Sequence, residues 1–139
     1  MESENLTKPN SIYFAHPINF YNTDLEKKLV EKINLFFPQY NLENPNQKHH
    51  QENYKIWKER TGSGMNYYFD IILPRMEAGI GLPFEDGKLG FGVWGELDFL
   101  SRLGKPIWEI NFDGDIKSIK NLNDLKVLSL DETRKRIYK

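Results

Sequence analysis

Apolar residues fall along this chain in short continuous runs and in three-to-four-residue repeats, and the order of those two patterns sets the expected order of elements. Ser11-Ile-Tyr-Phe-Ala15 is an apolar run rich in strand formers and ended by His16-Pro17, the pattern of a buried strand. Thr23 followed by Glu26 is suited to satisfy the unpaired amides at a helix start. Leu25, Leu29, Val30, Ile33, Phe36 and Phe37 then mark one helical face, Lys27, Lys28, Glu31 and Lys32 the other, and Pro38 ends the helix. A weaker strand around 40–43 is closed by Asn44-Pro45, because proline biases the residue before it away from helix.

Residues 46–60 are polar and charged, with Tyr54, Ile56 and Trp57 available for burial, and support a partly exposed helix or ordered loop. Beyond Gly62-Ser63-Gly64, the spacing of Met65, Tyr68, Phe69, Ile72 and Leu73 predicts a core-facing helix up to Pro74. Residues 77–84 read as a short buried strand whose glycines allow close backbone approach. The stretch 85–95 places glycines at 87, 90, 92 and 95 and can lay backbone amides against a ligand. Val93, Trp94, Leu97, Leu100 and Leu103 continue as a helix stopped by Gly104, and Ile107 to Ile110 is the next strand. Residues 111–123 read as a polar connection, Leu125 to Leu128 as an edge strand, and Ser129 with Glu132 as a capping box opening a basic terminal helix.

Strands alternating with helices predict an α/β domain: a flavodoxin-like, doubly wound parallel sheet of about five strands, order 2-1-3-4-5, with helices on both faces. Ligands in such sheets bind beyond the carboxyl ends of the strands, where the strand order reverses. That rule selects the loops 16–23, 44–50 and 83–96.

Composition narrows the class. The 139 residues suit a polar leader over 1–10 and a single domain over 11–139. With 19 basic and 20 acidic side chains there is no cationic excess for gripping a nucleic acid polymer. No membrane span or secretion signal is visible, and the chain has no cysteine, so a cytoplasmic protein acting on a small molecule is expected.

Glu96 falls about one turn into the helix after the glycine-rich loop, near the rim where strands end. A carboxylate there is either a reactive group or one that complements a helix N-terminus. Asp86 is a second carboxylate for the same site or the turn-former of Asp-Gly. Tyr13 leaves the first strand where its hydroxyl can bond a carboxylate, and His16 stands at the strand exit. His49 and His50, adjacent in sequence, diverge on any regular element and have no third ligand at suitable spacing, so no metal is expected. Ser63 lacks the elbow of a hydrolase nucleophile, and the glycine spacing is not that of a dinucleotide fingerprint.

Ile12-Tyr-Phe-Ala-His-Pro17, the helix carrying Glu26, Asn44-Pro45, and Glu96 within Gly92-Val-Trp-Gly-Glu-Leu97 before Gly104-Lys-Pro106 resemble the nucleoside 2-deoxyribosyltransferase family over about residues 11–110. The resemblance implies cleavage or transfer of the N-glycosidic bond of a nucleoside or nucleotide, without a cofactor, by a homodimer or higher homo-oligomer. It implies Glu96 as nucleophile, Tyr13 as the tyrosine that positions it, and Asp86 as the acid at the departing base, with Asp70 in reserve. His16, Asn44, Asp70, Gly90 and Gly92 are the matching substrate-binding candidates. A glutamate nucleophile forms a glycosyl-enzyme intermediate, and retention follows. Two alternatives stand beside it: a nucleotide or nicotinamide-dinucleotide glycohydrolase, with Lys88 and Arg75 as phosphate partners, and a non-catalytic nucleotide-binding or sensing module.

Overall fold

The computed structural model describes residues 8–138, so most of the expected leader over 1–10 lies outside the described residues. Five strands form one sheet in the order β2-β1-β3-β4-β5: β1 (Ser11–Ala15), β2 (Asn41–Glu43), β3 (Ala78–Gly81), β4 (Ile107–Ile110) and β5 (Ile116–Ser118). β1 to β4 run parallel and β5 runs antiparallel to β4. The flavodoxin-like order is therefore present, with its last edge reversed. The edge strand expected at Leu125 to Leu128 is displaced: that segment makes an isolated bridge, Leu89 to Val127, and β5 comes from the preceding connection. The reason is local. A tight turn in which the Gly114 amide bonds the Asn111 carbonyl folds Ile116-Lys-Ser118 straight back on β4, and an edge strand needs no long apolar run.

β1 shows how the sequence builds two cores from one strand. Ile12 and Phe14 point to one face and pack with Leu29 and Ile33 of α1 (Asp24–Phe36); Tyr13 and Ala15 point to the other and pack with Leu97 and Leu100 of α3 (Phe91–Arg102). All five β1 residues are buried, as a central strand covered on both sides requires. α2 (Lys48–Thr61) buries only His50 fully, which fits its charged sequence, and α4 (Leu130–Ile137) carries the expected Ser129–Glu132 capping box. The second core-facing helix is a π-helix, Tyr67–Ile72, continued by a 3-10 turn at Leu73–Arg75. Tyr67, Tyr68 and Ile72 are its buried residues.

α3 lies unusually close to β3 because two strand positions carry no side chain. A methyl group on Gly81 would stand 2.6 Å from Leu97 Cδ1 and 3.3 Å from Val93 Cγ1. Gly81→Ala is accordingly expected to lower stability by about 1–3 kcal/mol, read as a reduced urea midpoint at unchanged slope. An unchanged midpoint would show that α3 can retreat without cost. No helix among the described residues is long and apolar enough to cross a membrane.

Candidate active site

A cavity of about 540 Å³ opens at the carboxyl ends of β1 and β3, where the strand order reverses. Each of the three expected loops contributes: His16, Pro17, Ile18 and Tyr21 from the first, Pro45 from the second, and Gly90, Gly92, Val93 and Glu96 from the third. Its volume lies within the range of small-molecule sites.

Glu96 is delivered there by α3, which begins just after Gly90 and is seated on β3 by Leu97 and Leu100. Its side chain is buried, and the Tyr13 hydroxyl donates a 2.7 Å hydrogen bond to Oε2. Burial drives the Glu96 carboxyl up to about 7, with the Tyr13 hydrogen bond pulling partly the other way. Tyr13 is itself buried beside that carboxylate, which holds its phenol well above the ordinary value and keeps it a donor. A carboxylate that titrates near neutrality, touching a ligand-sized cavity, is suited to nucleophilic or proton-transfer chemistry. Tyr13→Phe should raise the Glu96 pKa further. If Glu96 reacts as an anion, turnover falls by about 10- to 100-fold at pH 7 and the acid limb of the pH–rate profile moves upward. An unmoved limb would dissociate the tyrosine from the titration.

His16 lines the cavity but is engaged at both ring nitrogens: Nδ1 lies 3.0 Å from the Phe14 carbonyl oxygen and Nε2 2.7 Å from Glu26 Oε2. Phe14 stacks on the ring at 4.0 Å. Glu26 departs from its expected capping role. Thr23 does accept from the Glu26 amide, yet the Glu26 carboxylate turns inward and accepts from His16, the Asn22 backbone amide, Asn44 and Asn46. Burial opposes ionisation there, but these donors prevail and hold the carboxyl at about 2. Asn44 therefore supports Glu26 from behind and is absent from the cavity wall.

Asp86 does not converge on Glu96. It lies outside the cavity wall, where both carboxylate oxygens accept from Arg136 of α4 at 2.9 and 2.8 Å, and that guanidinium lowers its carboxyl to about 2. An ionised carboxylate held in such a pair is no proton donor for a departing base. Asp70 is exposed on the π-helix and likewise absent from the wall. Gly90 and Gly92 do line the cavity, but the Phe91 amide between them already donates to Thr133 Oγ1 at 2.9 Å. The metal reading also changes: Glu43 supplies a third donor, so that ligand atoms of Glu43, His49 and His50 lie within 4.8 Å of one another. His50 spends its two nitrogens on Glu43 and on the Tyr67 hydroxyl, which makes this cluster a buried hydrogen-bond relay.

Tyr21, Tyr54, Tyr68 and Tyr138 also line the wall and were not singled out from sequence as site residues. Tyr21 could have been found, since it falls in a loop that the strand-order rule selects. Tyr54, Tyr68 and Tyr138 sit on helices or a helix end whose spacing points to packing, and only the tertiary fold gathers them.

The fold and cavity together define the class: a flavodoxin-like α/β domain with a buried carboxylate at the cavity where its strand order reverses. Comparisons with models of known protein families, with curated proteins and with solved structures find no match.

Proposed function

We propose that the protein cleaves, or transfers across, the N-glycosidic bond of a nucleoside-type substrate, with Glu96 as the nucleophile. The observation that carries this reading is the buried Glu96 carboxylate, held by the Tyr13 hydroxyl at the wall of a cavity of small-molecule size at the sheet's switch point. The sequence resemblance to the nucleoside 2-deoxyribosyltransferases supports the same assignment.

The chemistry follows from charge. As the bond to the base lengthens, the anomeric carbon acquires oxocarbenium character, and a carboxylate in a low-dielectric pocket stabilises that charge and then captures it. Tyr13 leaves one carboxylate oxygen, Oε1, for the attack by occupying the other. Water or a second base then displaces the glutamate, with retention overall.

The decisive experiment incubates the purified protein with a panel of nucleosides, nucleotides and a nicotinamide dinucleotide, with and without an added free base, beside Glu96→Ala. Base release or exchange by the native protein alone, rising with pH through about 7, is expected. A rate that falls through the same range would make Glu96 a proton donor and overturn the nucleophile. Thermal stabilisation by a ligand with no product would assign a binding module in place of an enzyme.

A further inference from the structure

A carboxylate nucleophile solves half of an N-glycoside cleavage. The other half is the departing base, which leaves poorly as an anion and ordinarily receives a proton from a second acid. The described cavity wall offers no such acid. Asp86 is paired with Arg136 outside it and Asp70 is exposed elsewhere. His16 has both nitrogens committed, to a backbone carbonyl and to Glu26. The other ionisable groups of the wall besides Glu96 are phenols, and a phenol is a weak acid near neutral pH.

The wall also offers phosphate little. Among the described residues it includes no lysine or arginine, its one imidazole, His16, is turned to Glu26 and the Phe14 carbonyl, and the Phe91 amide at the start of α3, which could have met an anion, is taken by Thr133. What the wall does provide is one buried carboxylate and several tyrosine rings, with Tyr13 and Tyr68 edge-to-face at 6.4 Å and Tyr54 tilted against Tyr68 at 5.9 Å. A carboxylate among aromatic rings is an environment for an organic cation.

We therefore infer that the preferred substrate is an unphosphorylated N-glycoside whose base is already a cation, such as a pyridinium or N-alkylpurinium nucleoside. This rests on the glycosidic reading above and specifies its substrate class. The bond from the anomeric carbon to the charged nitrogen breaks, its electron pair stays on nitrogen, and the base departs neutral without needing a proton. A Glu96 oxygen bonds the anomeric carbon. Water then adds at that carbon, loses its proton to solvent, and the carboxylate is regenerated. Charge and atoms balance with water as the only co-reactant.

The test compares N7-methylguanosine with guanosine, and nicotinamide riboside with its uncharged dihydro form and with its 5′-monophosphate. Base release is followed by chromatography, with spontaneous hydrolysis subtracted. Cationic nucleosides are expected to exceed their neutral counterparts in kcat/KM by about 100-fold or more, the usual contribution of the missing acid. The monophosphate should fall at least about 10-fold below the riboside, because its charge meets no partner. Glu96→Gln should lose release from all of them, and in that variant the native protein's preference for binding nicotinamide riboside over the dihydro form should collapse. Equal turnover of guanosine and N7-methylguanosine, or preference for the monophosphate, would overturn this inference and leave the glycosidic reading standing. Release of base from none of the compounds tested here or in the wider panel would overturn both.

Discussion

Glu96→Gln is expected to abolish base release, by about 1,000-fold or more, and at the same time to raise the melting temperature at pH 8. The two effects have one cause. A carboxyl whose pKa rises from 4.5 unfolded to about 7 folded makes the native state bind more protons, so its favourable contribution is complete below 4.5 and is lost as the pH climbs through about 7. By pH 8 the native state carries a buried anion at a cost of about 3 kcal/mol. Glutamine keeps the shape and removes the charge. The variant should gain about 1–3 kcal/mol over the native protein at pH 8 and show little gain at pH 4.5, measured by urea unfolding at both values. A variant less stable than the native protein at pH 8 would mean that the carboxylate is comfortably solvated and not poised for reaction.

The second large effect lies behind the cavity. Removing Glu26 leaves the buried His16 ring, the Asn22 amide, Asn44 and Asn46 without their shared acceptor, and Glu26→Ala is expected to cost about 3 kcal/mol or more. Here the pH dependence has the opposite sense. The Glu26 carboxyl is held at about 2, below its ordinary 4.5, so its contribution is present above 4.5 and disappears as the pH falls toward 2. The difference in melting temperature between native protein and variant should therefore be large at pH 7 and shrink steadily below pH 4.5. A constant difference would assign the loss to packing alone.

These two carboxylates also mark what the sequence made legible. The sheet order and the three loops around the cavity followed from alternating strands and helices, because crossover handedness and the switch-point rule act on patterns that local sequence carries. Glu96 could be placed at the rim for the same reason. Glu26 could not be read correctly: its spacing from Thr23 is that of a capping box, and its true partners, His16, Asn44 and Asn46, come from other loops that meet only in three dimensions. Asp86 shows the converse. It lies in the right loop, but a guanidinium from the last helix, 50 positions away, turns it aside. The π-helix was hidden because one inserted residue per turn leaves an apolar repeat that still resembles an ordinary helix.

That Asp86–Arg136 pair bears on how the cavity wall is held. Thr133, Ile137 and Tyr138 form the part of the wall contributed by α4 and the residue after it, and α4 is an eight-residue helix with one buried residue, Thr133. A helix of that length does not persist in water by itself. It is fastened by the Thr133 bond to the Phe91 amide and by the surface ion pair, which carries Arg136 across the Phe84 ring at 5.2 Å. Local opening of this segment is therefore expected to cost less than unfolding the sheet, and dissolved salt, by screening the ion pair, to lower that cost somewhat further. The wall is thus fastened partly by a surface contact that ionic strength weakens, while the Glu96 carboxyl, buried beneath it, answers to pH.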